Sequence, residues 1–160
     1  MQTREEDVVT KLFLSSNHSY LLYFTDMGRV YRTKTYNIPE AGRTAKGTPV
    51  VNIIEKSPEE KISEIIPVKE FSDNEYLVMV TKNGIIKKTP ASEYESIRKS
   101  GKIAITLKEG DELISIFKTT GNDNIFLATI NGMAICFNEN DARAVGRTAS
   151  GVKAIDLADG

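Results

Sequence analysis

The side chains with chemistry to offer in this 160-residue chain are cations, and they are not scattered. Segments 28–49, 82–102 and 131–153 hold fourteen of the 21 Lys and Arg but only five of the 22 Asp and Glu. These segments therefore carry a net +9 within a chain of formal charge −1. The candidates are Arg29, Arg32, Lys34, Arg43 and Lys46 in the first segment, Lys87, Lys88, Arg98, Lys99 and Lys102 in the second, and Arg143, Arg147 and Lys153 in the third. Ordinary solvated strand faces would also carry such residues. The segregation of sign favours a shared basic stripe, which is an electrostatic footprint for a polyanion. Arg32 and Lys34 are two residues apart, so on a strand both point to the same side.

Other reactive types are sparse. His18 and Cys136 are the single histidine and cysteine, so no zinc set can form and no internal disulfide is possible, which fits a reducing compartment. His18 reads as a solvated turn residue and Cys136 as a core residue of the apolar run Met133–Phe137. No phosphate-binding Gly-Lys-Ser/Thr loop, dinucleotide fingerprint or nucleophile elbow occurs. The acidic runs Glu5-Glu6-Asp7, Glu55 to Glu60 and Glu109-Gly110-Asp111-Glu112 read as a solvated surface separate from the basic stripe. Tyr31, Tyr36 and Tyr94 lie near the basic segments and read as packing under loops. No run of 18 apolar residues and no signal-peptide pattern is present.

The elements that must position the cations recur. Leu21-Leu22-Tyr23-Phe24-Thr25-Asp26-Met27-Gly28, Leu77-Val78-Met79-Val80-Thr81-Lys82-Asn83-Gly84 and Ile125-Phe126-Leu127-Ala128-Thr129-Ile130-Asn131-Gly132 are three versions of one phrase. Each is followed by a second strand-like run, a loop, and another glycine (Gly47, Gly101, Gly151) before an apolar stretch. A period near fifty residues marks a modular array. Leading strands are expected at Val8–Leu14, Ile62–Ile66 and Leu113–Phe117, which makes four short strands per unit over 8–54, 62–107 and 113–157. Asn83-Gly84 and Asn131-Gly132 predict two-residue hairpin turns, with Asp26-Met27-Gly28 a looser version. Four-stranded units repeated radially predict an all-β, propeller-like architecture in one partial domain.

Longer phrases carry a resemblance. Gly28-Arg29-Val30-Tyr31, Tyr36-Asn37-Ile38-Pro39-Glu40-Ala41 and Gly42-Arg43-Thr44-Ala45-Lys46-Gly47 resemble the C-terminal domain of bacterial DNA gyrase A, part of a type IIA topoisomerase. So do Ile97-Arg98-Lys99-Ser100-Gly101-Lys102-Ile103-Ala104-Ile105 and Gly146-Arg147-Thr148-Ala149-Ser150-Gly151. The resemblance implies a β-pinwheel, a disc of four-stranded blades that exchanges a strand between neighbours. It implies sequence-tolerant wrapping of duplex DNA on a basic rim, formed here by the thirteen cations named above. It also implies a cytoplasmic, nucleoid-associated enzyme whose partners are gyrase B and a second copy of gyrase A, with no membrane. Catalysis, ATP and Mg belong to other parts of that enzyme, so no cofactor and no catalytic residue is expected in this chain.

A complete disc of the family has about six blades. Three repeats make roughly half a disc, an excised piece, and the family's Gln-Arg-Arg-Gly-Gly-Lys-Gly box is absent. Bare edges on half a disc invite edge-to-edge self-association. The related C-terminal domain of topoisomerase IV is the nearer alternative. A propeller-type protein-interaction scaffold is the other, although the Trp-Asp signature of such repeats is missing.

Overall fold

A computed structural model describes residues 8–155 and 157. It contains ten strands: β1 (Tyr20–Thr25), β2 (Arg29–Lys34), β3 (Ile62–Val68), β4 (Tyr76–Thr81), β5 (Ile85–Pro90), β6 (Lys102–Ile103), β7 (Leu113–Thr119), β8 (Asn124–Ala128), β9 (Ala134–Asn138) and β10 (Val152–Lys153). The β1–β2, β4–β5 and β8–β9 pairs are the three antiparallel hairpins of the repeat. Single 3₁₀ turns follow each hairpin at Thr35–Asn37, Ala91–Tyr94 and Glu139–Asp141.

The hairpin turns differ from the expected two-residue type, and all three are alike. The glycine amides of Gly28, Gly84 and Gly132 donate to the carbonyls of Thr25, Thr81 and Thr129, each at 3.0 Å. The next amide of each turn (Arg29, Ile85, Met133) donates to that same threonine's hydroxyl. Only the glycine has positive φ, near +75° to +81°, so the loop is three residues long with a left-handed glycine at its end. Asp26-Met27-Gly28 is therefore the same turn as the Asn-Gly pair, set by the threonine rather than by the asparagine.

Each sheet is assembled from two units. The first sheet has the order β3-β1-β2-β6 and the second β10-β5-β4-β7, while β8 and β9 pair alone. A hairpin thus takes both outer strands from the unit that follows it in sequence: its leading strand on one edge (β3 on β1, β7 on β4) and its post-loop strand on the other (β6 on β2, β10 on β5). Units two and three each supply four strands, as expected, but the four do not form one blade: the outer two are given to the hairpin of the preceding unit. Two complete blades and one hairpin result. The leading strand expected at Val8–Leu14 is not a strand and pairs with no other strand among the described residues.

Burial follows from this stacking. Leu22, Phe24, Val30, Ile66 and Val68 of the first blade meet Leu77, Met79, Tyr94, Ala104, Ile105 and Leu113 in one cluster. Val78, Val80 and Ile86 on the opposite face of the second blade meet Ile125 and Ala142. Leu21, Tyr23, Tyr31 and Ile54 form a third cluster on the outer side of blade one. Both faces of β1 and β4 are covered, so these strands read as near-continuous apolar runs. Residues of β8–β9 that face away from blade two stay open. Cys136, expected in the core, lies on that side and is exposed.

Candidate nucleic-acid interface

The post-loop strand delivers basic residues of one unit to the strand edge of the previous blade. Beside β2, the Arg29 guanidinium donates to the Ser100 carbonyl (2.8 Å) and Arg32 donates to the Glu95 carbonyl. Lys102 pairs in register with Val30. Arg32 and Lys34 both lie over the Tyr20 ring, at 4.8 and 5.4 Å from its centroid, as their two-residue spacing requires. A groove of about 520 Å³ is lined here by Tyr20, Arg32, Lys34, Tyr36, Asn52 and Lys99. Charges from units one and two therefore meet in this groove, Arg32 and Lys34 with Lys99, and Arg98 is exposed on the same loop, while Arg29 faces the other side of β2 beside Glu60 and Lys102 lies opposite Val30. Tyr36 is exposed in this groove, whereas Tyr31 and Tyr94 are buried as expected. Tyr20, which sequence reasoning passed over, is legible as the residue opposite Lys34 in the hairpin register.

The same construction recurs beside β5, with a different outcome. The third-unit loop runs along it: the Val145 amide donates to the Lys88 carbonyl (2.9 Å), and Val152 and Lys153 pair with Ile86 and Ile85. Arg143 and Lys153 are exposed, and Arg147 is half-buried with its guanidinium on the Ile103 carbonyl. Lys87 and Lys88 leave the expected set. They are 1% and 3% exposed, and their ammonium groups are committed inside the protein. Lys88 pairs with Glu139 at 2.9 Å, donates to the Asn140 side chain and lies 4.3 Å from the Tyr76 ring centroid. Blade one places Arg32 over Tyr20 in the same way, but the second unit has Ala91 where the third has Glu139, so Arg32 has no buried carboxylate to draw it inward. Lys87 donates to the carbonyls of Ala104 and Arg147, and burial together with the nearby Arg147 charge lowers its pKa to about 7. Burial alone would raise the Glu139 pKa, but the Asp123 amide, Lys88 and Thr119 hold it below the usual carboxylate range.

Arg43 and Lys46 are exposed on the first-unit loop, which has no earlier blade among the described residues to lie against. The acidic runs are less separate from the basic residues than expected. Glu60 is buried, accepts from the Tyr31 hydroxyl (2.6 Å) and lies 3.5 Å from Arg29. Asp111, at the matching place, accepts from the amides of Asn83 and Glu112. These two runs thus each supply one carboxylate that ties a leading strand to the hairpin. Glu5-Glu6-Asp7 lies outside the described residues. Among the described residues no group of His, Cys, Asp and Glu is placed to hold a metal ion, and no helix is long and apolar enough to cross a membrane.

Residues 19–69, 75–120 and 123–160 match the family described as DNA gyrase C-terminal domain, beta-propeller. The chain belongs to that family. Each of the first two matched stretches runs from a hairpin to the end of the next leading strand. DNA gyrase A of Clostridium acetobutylicum (strain ATCC 824) is 53% identical over 96% of this chain, and that of Halalkalibacterium halodurans is 48% identical over 97%. The chain spans about a fifth of the length of these relatives, 18% and 19%. Among solved structures, the C-terminal domain of DNA topoisomerase IV aligns with a TM-score of 0.83 and 34% identity, covering 90% of this chain and 45% of that one. The DNA gyrase A C-terminal domain aligns with a TM-score of 0.74 and 26% identity, covering 91% and 46%. The family and these neighbours give the all-β, pinwheel-type fold expected from the sequence, in an open rather than a closed arrangement of blades.

Proposed function

We propose that this chain is a sequence-tolerant duplex-DNA-binding and wrapping module of a DNA gyrase A protein. The observation that carries the reading is the groove beside β2, where Arg32 and Lys34 of one unit meet Lys99 of the next, with Arg98 exposed on the adjoining loop. The weaker set beside β5, and Arg43 with Lys46, extend it. No helix is present among the described residues that could enter a major groove, so the chemistry is that of phosphate contact rather than base readout. Bending a short duplex costs on the order of 1–6 kcal/mol, which phosphate contacts along the rim must offset. In the whole enzyme, with gyrase B and a second copy of gyrase A in the bacterial cytoplasm, the module would present DNA to a cleavage core. Strand breakage, ATP and Mg belong to those other parts. The relatives identical at half their aligned positions are gyrases, which favours gyrase over topoisomerase IV despite the higher TM-score of the latter's domain.

The test is fluorescence anisotropy with a duplex of about 40 base pairs across a salt series. Each neutralised phosphate adds about −0.9 to the slope of log K against log salt, so six contacts give a slope near −5. Reversing Arg98→Glu and Lys99→Glu together is expected to weaken binding at least tenfold on every sequence and to flatten the slope by about two. Lys87→Met, which alters a buried cation, is expected to leave binding unchanged. Affinity that survives the double reversal, or that falls equally with Lys87→Met, would overturn the assignment.

A further inference from the structure

The two complete blades finish their outer strand edges differently. Alternation along β2 turns the main-chain groups of Gly28, Val30 and Arg32 outward. The Gly28 carbonyl accepts from the Ala104 amide, and Val30 pairs with Lys102. There β6 stops covering the edge, and the Arg32 amide and carbonyl meet no main-chain partner among the described residues. In β5 the matching residue is Lys88, and its edge is sealed: Ala144 bridges to it in parallel, and the Val145 amide donates to its carbonyl at 2.9 Å. Loop length separates the two cases. The stretch from Gly132 to Gly151 is two residues longer than that from Gly84 to Gly101, so the third-unit loop runs along β5 where the second-unit loop falls short of β2. Only the Arg32 guanidinium spans that gap, to the Glu95 carbonyl.

The bare edge opens into the basic groove. Arg32, Lys34 and Lys99 line it, with Glu55, which is exposed, as the carboxylate in the same lining. The Tyr20 ring under Arg32 and Lys34 holds both cationic heads beside the edge, at 4.8 and 5.4 Å. A sheet-edge amide among cations is an anion site, and main-chain amides are among the groups that hold DNA phosphates. Beside β5 both parts are spent, because the loop occupies the edge and Lys88 is turned inward onto Glu139.

We propose that the edge at Arg32 seats one phosphodiester of the duplex backbone, held by the Arg32 amide and by the Arg32, Lys34 and Lys99 side chains, and that the sealed edge at Lys88 offers no such seat. The two blades therefore grip DNA unequally, with the tight contact beside β2 and a looser passage beside β5. This inference rests on the DNA-binding reading above and adds to it where along the rim the backbone is fixed.

Ser100 and Ser150 precede the two loop glycines, and both are exposed, so they make a matched pair of probe positions. In the 160-residue chain with Cys136→Ser, a short azidophenacyl photocrosslinker on Ser100→Cys is expected to capture a labelled 40-base-pair duplex, and the same group on Ser150→Cys to capture little. In anisotropy, Lys34→Glu is expected to weaken duplex binding about tenfold and to flatten the salt slope by about one, whereas Arg143→Glu beside β5 costs about threefold or less. Unchanged circular dichroism spectra show that both variants are folded. A duplex that binds but crosslinks equally from the two positions, or that is weakened equally by the two reversals, overturns the unequal grip and leaves the DNA-binding reading standing. A chain that binds no duplex overturns both.

Discussion

The Lys87 ammonium is buried without a carboxylate partner in its hydrogen bonds, and its removal should stabilise the protein at neutral pH. The pKa of about 7, against an ordinary 10.5, means that the folded chain binds this proton more weakly than the unfolded chain does. Burial is the main cause, with the Arg147 charge adding to it and Glu93 opposing it. The folded-state pKa is depressed on a cation, so stability is lowest below pH 7 and rises as the pH climbs toward 10.5. At about 1.4 kcal/mol per unit, the full gap corresponds to a penalty of about 5 kcal/mol below pH 7, of which about 2 kcal/mol is relieved between pH 7 and 9. Lys87→Met abolishes that dependence. It also removes the donors to the Ala104 and Arg147 carbonyls, at a cost of about 1 kcal/mol each. The net expectation is a Met variant more stable by about 2–3 kcal/mol at pH 6 and close to wild type at pH 9. Urea denaturation at pH 6, 7 and 9 measures both chains. The range stops at pH 9 because the buried Tyr23 phenol, whose pKa is pushed up to about 12, pulls stability the other way once unfolded tyrosines ionise near pH 10. A wild-type stability that is flat or falling from pH 7 to 9, or that changes by the same amount in the Met variant, would show that Lys87 is not a destabilising buried cation.

Two further substitutions test the way the blades are joined. Glu139→Gln leaves the Lys88 ammonium buried without a carboxylate, so a loss of about 3–5 kcal/mol is expected in the same urea assay, largest at neutral pH. Gly28→Ala and Gly110→Ala share a positive φ, but only Gly28 lies against a neighbouring backbone, the Ile105 carbonyl of the exchanged segment. Gly110→Ala should therefore lose about 1–2 kcal/mol from backbone strain alone, and Gly28→Ala clearly more, read as a larger fall in the urea midpoint.

The repeat, the three hairpins, the all-β class and the segments that hold the cations are legible in the order of residues alone. These are local properties: apolar runs of strand length, a threonine-to-glycine turn and the spacing of like residues are all written within about ten positions of one another. The same locality put Arg32 and Lys34 on one side of a strand and over one tyrosine. Which strands share a blade emerges only on folding, because hairpin edges are completed by residues about thirty to seventy-four positions further on and nothing local distinguishes a unit's own leading strand from a donated one. That exchange decided the rest. It carried Ser100 and Lys99 to the edge of β2 and made a groove from two separate segments. It set Glu139 behind β5, so that Lys88 turned inward and Lys87 was sealed beneath the third-unit loop, although by composition both looked like rim residues. It left Cys136 and Phe126 exposed on a hairpin whose sequence reads as core, since an apolar strand is buried only when another unit is there to cover it.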